Sequence, residues 1–215
     1  MVLIFAETHK QIASNINKEI SRIYNIELDE KKLLWGSVVP DYNPKYKIHR
    51  HYADESLDFI VNEINVLIFL GRFIDIENEI FDGLSKKLFS RKLGIISHYL
   101  ADFVCRPHYD RLTFNEAMIQ HVKYEKNLNQ LAENFEFKNN GISCVELKTA
   151  DDGFYKIKPI IKEYTLNVLD EYSVEISPER DLEFAYNLNL KMFYFVLDTI
   201  KLFNCEKSIE KAFLF

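Results

Sequence analysis

Apolar residues recur at intervals of three and four along most of the chain. Ile12, Ile16, Ile20 and Ile23 show this spacing near the N-terminus, and a second run covers residues 57–73. An α-helix brings positions three and four apart onto one face, whereas a half-buried strand would need strict alternation. The pattern therefore predicts amphipathic helices whose apolar faces pack together.

Turn-forming residues divide this pattern into segments. Thr8 is placed to cap the first helix, with His9 in its first turn, and Ser177 with the proline after it has the form of an N-cap and a first helical position. Residues 36–45, which contain two prolines, predict a loop, and so do residues 136–153. Further helices are predicted over residues 87–105, 114–132 and 154–172, and from residue 177 onward.

The composition agrees with a helical core. Only 6 glycines and 5 prolines interrupt 215 residues, and 47% of the residues are hydrophobic, which is enough to fill a core without crosslinks. Neither an internal repeat nor a low-complexity linker divides the chain. We expect an all-α fold, with a single multi-helical domain spanning residues 1–215 and strands minor or absent.

Charge and hydropathy argue against a nucleic-acid-binding, a transmembrane and a secreted protein. The net charge is −6 and no basic tract is present, which argues against a phosphate-following groove for nucleic acid. Nowhere does the chain approach the roughly 20 apolar residues of a transmembrane helix, and its short apolar start lacks the basic segment of a signal peptide. A cytoplasmic protein without a transmembrane segment is expected, and the oligomeric state stays open.

Five residues between positions 98 and 125 have the chemistry and spacing of a metal site. His98 and Asp102 are four apart, as are His121 and Glu125, so each pair projects from one face of a helix and can grip one ion. His108 follows a proline that should lie beyond the end of the first helix, so it can turn back towards the second pair. Imidazole and carboxylate ligands without cysteine suit a catalytic zinc centre with an open position.

Three further residues belong to the candidate metal site, and together with the five they show a resemblance to a known protein family. They are His9, Asp41 in a Pro-Asp-Tyr turn, and His51 in Ile-His-Arg-His-Tyr. With Gly-Ser-Val-Val-Pro-Asp-Tyr from position 36, His-Tyr-Leu-Ala-Asp-Phe-Val-Cys-Arg-Pro-His from 98 and His-Val-Lys-Tyr-Glu from 121, the chain resembles the bacterial zinc-dependent phospholipase C family over residues 8–130. That family is all-helical, has a trinuclear zinc site and is related to single-strand nucleases.

The resemblance implies a role for each of these residues. One zinc would be held by His51, His98 and Asp102, a second by His108, His121 and Glu125, and a third by Asp102 and His9. Asp41 would contact the cluster and orient or deprotonate the attacking water, and Tyr42 would face a choline head group. His49 competes with His51 for one position, and the aromatic residue after His51 favours the latter.

One departure from the family concerns the third zinc. The secreted phospholipases begin, after processing, with a tryptophan that completes this site, but the only tryptophan here is Trp35. The resemblance therefore implies two zinc ions and leaves the third open. The third site is weak, vacant, or completed by Glu7, by backbone or by water.

The function expected from these observations is hydrolysis of a phospholipid or small phosphodiester by water that zinc activates. Three alternatives remain. A single-strand nuclease would use the same cage but needs base-stacking aromatic residues and a basic groove. A non-enzymatic metal-binding or regulatory protein would keep the cage without turnover. The helical phosphohydrolases centred on adjacent His and Asp also bind metal, although no His-Asp dipeptide occurs in this chain.

Overall fold

The computed structural model describes residues 6–74, 83–112, 116–140, 147 and 154–213. All regular structure in these ranges is helical, which confirms the predicted all-α fold. The α-helices are α1 (Ala6–Tyr24), α2 (Glu30–Gly36), α3 (Val39–Tyr42), α4 (Ala53–Gly71), α5 (Gly83–Phe103), α6 (Arg106–Tyr109), α7 (Glu116–Ala132), α8 (Ile157–Ser173) and α9 (Pro178–Phe213), and 3₁₀ turns cover Pro44–Tyr46 and Phe154–Lys156.

The core forms where the apolar faces of the long helices meet. Ile16 of α1, Ile64 of α4, Leu100 of α5 and Phe193 of α9 are all fully buried in one continuous cluster. Burying a side chain of this size stabilises the fold by roughly 1.5–3 kcal/mol. No helix in the described part of the chain is long and apolar enough to cross a lipid bilayer.

Three local predictions were wrong. Thr8 does not cap α1 but lies inside it, where its backbone N–H donates to Asn129 Oδ1 of α7 at 2.9 Å. Ile23 is 46% exposed, because periodicity identifies a face but not how far neighbouring helices cover it. Most of residues 36–45 are helical, in α3 and the turn after it, because Pro40 and Pro44 each occupy the first turn of a short helix.

The predicted loop at residues 136–153 lies mostly outside the described residues. Residues 136–140 lack regular structure, as expected. Beyond this loop, Ser177 behaves as predicted at the start of α9, since its Oγ accepts from the Arg180 backbone N–H at 3.3 Å.

Two glycines let α2 pack unusually close to α5. A Cβ atom on Gly36 would overlap the Arg91 carbonyl, and one on Gly94 would overlap the Leu33 carbonyl. Because only glycine lacks a Cβ, this backbone contact depends on both residues. It brings the segment after α2, including Ser37, against the C-terminal half of α5.

A buried carboxylate on α9 connects this helix with α6, α7 and α8. Asp181 of α9 accepts hydrogen bonds from the hydroxyl of Tyr172 at 2.6 Å, the hydroxyl of Tyr124 at 2.9 Å and the backbone N–H of Arg106 at 3.0 Å. Burial raises the pKa of this carboxyl group, and these hydrogen bonds only partly offset that effect. The network fixes α6 between α7 and α8.

Candidate metal centre

Asp102 lies in the middle of a cluster of four imidazole rings. Its Oδ2 atom is 2.6 Å from His51 Nδ1 and 3.2 Å from His98 Nε2. Its Oδ1 atom is 3.3 Å from His9 Nε2 and 3.6 Å from His108 Nε2. One buried carboxylate therefore faces side chains from α1, α5, α6 and the segment before α4.

The second carboxylate is Glu125 on α7. Its Oε1 atom is 2.7 Å from His121 Nε2, one helical turn away, and 3.2 Å from His108 Nε2. His108 reaches it because α5 ends at Phe103 and the short helix α6 turns the chain back, with Pro107 in its first turn. His108 thus lies between Asp102 and Glu125.

The third carboxylate, Asp41, reaches the cluster from α3. Its Oδ1 atom is 3.5 Å from His98 Nε2 and 3.7 Å from His51 Nδ1, and its side chain is 30% exposed. The next residue, Tyr42, is exposed and stacks on Trp35 with 6.4 Å between the ring centres. Asp41 therefore connects the buried cluster to an open aromatic surface.

Of the two histidines before α4, the structure places only His51 in the cluster. The His49 ring stacks on Phe59 of α4 with 3.7 Å between centres, and the His49 carbonyl accepts a hydrogen bond from Tyr99 at 3.2 Å. His49 thus belongs to the packing layer beside the cluster.

Backbone carbonyls orient two of the rings. His98 Nδ1 donates to the Ser37 carbonyl and His121 Nδ1 donates to the Leu112 carbonyl, both at 2.9 Å. A proton held on Nδ1 leaves the Nε2 lone pair of each ring directed at the cluster, as in metal sites generally. No sequence signal could have identified these two carbonyls, because every residue has one.

The turn that presents Leu112 is itself anchored. Arg111 has φ of +54°, which is uncommon for any residue other than glycine. Its guanidinium lies over the Tyr52 ring, 4.5 Å from the centre, and donates to Glu55 at 2.9 Å and to Asp54. These contacts attach the turn to the start of α4, next to His51.

Charge and burial compete throughout the cluster. Burial would raise the pKa of Asp102, but the surrounding imidazoles, His108 foremost, outweigh it and hold that pKa well below its usual range. The hydrogen bonds from His108 and His121 likewise lower the pKa of Glu125 against the effect of burial. The carboxylates are therefore ionised, with little solvent to screen them.

Burial opposes protonation of the imidazoles as well, with different outcomes. It lowers the pKa of His98, which is fully buried. For His9 and His51 the attraction of Asp102 prevails and raises the pKa, and Glu125 does the same for His121. In the metal-free protein, protons thus supply part of the positive charge that the carboxylates attract.

The donor set fits zinc. Nitrogen and oxygen ligands without thiolate are typical of catalytic zinc. Two buried polar atoms at the cluster, His9 Nδ1 and Glu125 Oε2, have no hydrogen-bond partner, whereas buried polar groups are ordinarily paired. Four overlapping groups have donor atoms within 4.8 Å of one another: His9, His98 and Asp102; Asp41, His51 and His98; His51, Asp102 and His108; and His108, His121 and Glu125.

Comparison with known protein families matches residues 8–177 to zinc-dependent phospholipase C. The chain belongs to this family. The match covers α1 to α8 and every residue of the cluster, and it extends well past the residues 8–130 in which the motifs lie. A search of curated proteins found no match.

Proposed function

We propose that this protein is a zinc-dependent phosphodiester hydrolase of the phospholipase C type. The observation that carries the proposal is the convergence of His9, His51, His98, His108 and His121 with Asp41, Asp102 and Glu125 in one cluster. Membership of the zinc-dependent phospholipase C family supports phosphodiester hydrolysis as the reaction class. The nitrogen and oxygen ligands support zinc as the metal. The substrate class that we propose is a phospholipid or a small soluble phosphodiester.

The four overlapping groups suggest how the ions would be held. His51, His98 and Asp102 would hold one zinc, and His108, His121 and Glu125 a second. His9 with Oδ1 of Asp102 would contribute to a third, whose remaining ligands we leave open. Since each Asp102 oxygen faces different rings, Asp102 is suited to be shared between ions.

Asp41 is the proposed catalytic residue. When bound, zinc would polarise the phosphoryl group and lower the pKa of water towards about 7. The pKa of Asp41 is lowered, since the attraction of His98 outweighs burial, so its carboxylate is ionised and can orient water and accept its proton. Water oxygen then bonds to phosphorus, the bond to the glycerol oxygen breaks, and that oxygen leaves as the alcohol after taking up a proton.

Tyr42 is the proposed contact for the head group. Its exposed ring, stacked on Trp35, lies directly beside Asp41 in the sequence. An aromatic face attracts a quaternary ammonium ion within about 6 Å. A choline-containing substrate would therefore place its phosphate near the cluster and its head group at this pair.

The test is hydrolysis of a short-chain, water-soluble phosphatidylcholine. We expect phosphocholine release that EDTA abolishes and zinc restores, and that Asp41→Asn reduces at least about 100-fold, within the range for a positioned acid–base group. Asp58→Asn, on an exposed carboxylate of α4, is the matched control and should keep full activity. Activity that survives Asp41→Asn would rule out the assigned role.

The same protein preparation separates the alternatives. Cleavage of single-stranded nucleic acid in place of the phospholipid would indicate the nuclease. Full zinc occupancy without turnover of either substrate would indicate a metal-binding protein that lacks activity. Zinc below one ion per chain would remove the metal-dependent mechanism altogether.

A further inference from the structure

A groove between α4 and α5 lies outside the metal centre. It has a volume of about 570 Å³, within the range of small-molecule sites. Tyr99 separates it from the cluster: the Tyr99 hydroxyl reaches the Tyr46 and His49 carbonyls on the groove side, and its ring lies 5.2 Å from the His51 ring on the other.

One end of the groove lies beside the metal centre and the other is apolar and exposed. Since α4 begins just after His51 and α5 carries His98 near its C-terminus, Phe59 and Ile95 lie at the end closer to the cluster. The opposite end is formed by Leu70, Phe73 and Leu88, which are 43%, 69% and 53% exposed. At 1.5 Å per helical residue, the wall from Ile95 to Ser85 is about 15 Å long.

Positive charge collects in this groove although the protein as a whole is negative. Among the residues that the structure describes, Lys45, Arg91 and Lys92 line it with one carboxylate, Glu63, which pairs with Lys92 at 2.5 Å. Lys45 lies over the Tyr46 ring. Within the described ranges, no carboxylate forms an ion pair with Lys45 or Arg91.

Arg91 is the most informative of these residues. Its Nε atom is buried without a hydrogen-bond partner, and the described part of the chain offers its guanidinium no ion pair. A partly buried guanidinium is normally paired with an anion, because removing it from water is otherwise unfavourable. Its planar set of N–H groups matches carboxylate and phosphate oxygens.

We propose that this groove binds a single-chain amphiphile with an anionic head. The carboxylate or phosphate of the ligand lies against Arg91 and Lys45, and its alkyl chain runs along α5 and covers the exposed apolar residues at the far end. The site is separate from the metal centre, and its occupancy does not require hydrolysis of the ligand.

The experiment is titration calorimetry of dodecanoate into the full-length, zinc-loaded protein. We expect one dodecanoate per chain, bound at least tenfold more tightly than dodecyltrimethylammonium, which has the same chain and the opposite charge. Tetradecanoate should bind about 15-fold more tightly than dodecanoate, because it has two more methylenes and each buried methylene contributes about fourfold. Dodecyl phosphate, titrated in parallel, distinguishes a phosphate-headed ligand from a fatty acid by its relative affinity.

Two variants locate the ligand. Arg91→Gln removes the guanidinium charge that would face the head group, and Leu70→Glu places a like charge on the path of the chain, so each should weaken dodecanoate binding at least tenfold. Arg22→Gln, on a surface residue of α1, and Leu166→Glu, on a similarly exposed leucine of α8, are the matched controls and should have no effect. Because Leu70 is exposed, its variant decides the question if Arg91→Gln does not fold.

Three results would overturn the proposal. One is the absence of binding by both dodecanoate and dodecyl phosphate. Another is equal affinity for the cationic amphiphile. The third is dodecanoate binding that Leu70→Glu leaves unchanged, which would place the ligand elsewhere, for example on zinc at the cluster. Phosphodiesterase activity is a separate measurement, so failure of this proposal is distinguishable from failure of the proposed function.

Discussion

At the scale of single residues, Asp102 has the most contacts with the cluster. Both of its oxygens face imidazoles, and it is buried among His9, His51, His98 and His108. Loss of its charge would leave four rings without their shared partner. The site therefore depends on this one carboxylate more than on any one of the rings around it.

We expect Asp102→Asn to lose zinc. The amide keeps the size of the side chain but removes its charge and one acceptor oxygen. Residues that only orient metal ligands typically change metal affinity up to about 100-fold when mutated, so loss of a ligand should lower zinc affinity at least about 100-fold. Zinc per chain after gel filtration measures this. Asp58→Asn is the control, and a full zinc complement in Asp102→Asn would contradict the assignment.

The pKa shifts of the cluster predict how the stability of the metal-free protein depends on pH. His9, His51 and His121 have pKa values raised by nearby carboxylates, so the stabilisation from their protonated forms is complete below about pH 6.5 and disappears as the pH rises through the raised pKa. The lowered pKa values of Asp102 and Glu125 act in the opposite direction. The contribution of these two carboxylates is present above about pH 4.5 and disappears in acid, and the lowered pKa of His98 opposes the other three histidines below about pH 6.5.

Thermal melting in EDTA between pH 4 and pH 9 tests this. We expect the highest melting temperature between about pH 4.5 and 6.5, with a decline on each side. The alkaline decline should be shallower in His9→Gln. Zinc-loaded protein should instead gain stability from pH 5 to pH 7.5, because zinc binds deprotonated imidazoles. A metal-free protein that becomes more stable from pH 6 to pH 8 would show that the histidines are not coupled to the carboxylates as described.

At the scale of helices, the close contact of α2 with α5 positions two parts of the site, the Ser37 carbonyl and helix α3. Gly36 and Gly94 allow it, and it places the Ser37 carbonyl on His98 and directs α3, with Asp41, to the cluster. The packing of α2 against α5 therefore determines the positions of the Ser37 carbonyl and Asp41 at the cluster.

Gly94→Ala tests this link. Alanine stabilises a helix by about 1 kcal/mol relative to glycine, but here its Cβ would meet backbone atoms that cannot rotate away. Overpacking of this kind costs about 1–3 kcal/mol or more, so we expect a net loss of stability together with weaker zinc retention. Urea denaturation and zinc content measure the two effects.

Lys87→Ala, at an exposed position of α5, is the control and should change neither quantity. If Gly94→Ala were more stable than the wild type, the helix preference would have prevailed and the close packing would not be needed.

At the scale of the whole molecule, the cluster joins segments that are far apart in sequence. Its residues come from α1, α3, the segment before α4, α5, α6 and α7. A metal ion that binds only this assembled arrangement stabilises the folded chain over the unfolded one.

We therefore expect EDTA to lower the melting temperature. A ligand at 1,000 times its dissociation constant stabilises a protein by about 4 kcal/mol, which corresponds to a shift of at least about 8 °C for a chain of this size. His98→Ala should melt near the temperature of EDTA-treated wild type and respond little to EDTA. Equal melting of the wild-type protein with and without EDTA would contradict metal-linked folding.

The sequence by itself determined the helical fold and most of the candidate ligand set. Spacing of three and four follows from helix geometry, so the apolar faces of α1 and α4 and the pairs His98–Asp102 and His121–Glu125 could be predicted locally. His9, Asp41 and His51 needed a resemblance, since no local rule links residues so far apart. The single domain and the metal roles stay predictions.

Only the tertiary structure decided how these segments meet. The exposure of Ile23 and the contact of Thr8 with Asn129 of α7 depend on neighbouring helices that sequence periodicity does not show. The carbonyls of Ser37 and Leu112 and the network at Asp181 arise from packing between distant helices. So does the groove in which Arg91 Nε is buried without a hydrogen-bond partner among the described residues. The physical reason is that a helix fixes the relations among its own residues, whereas side-chain volume and backbone contacts fix where one helix lies against another.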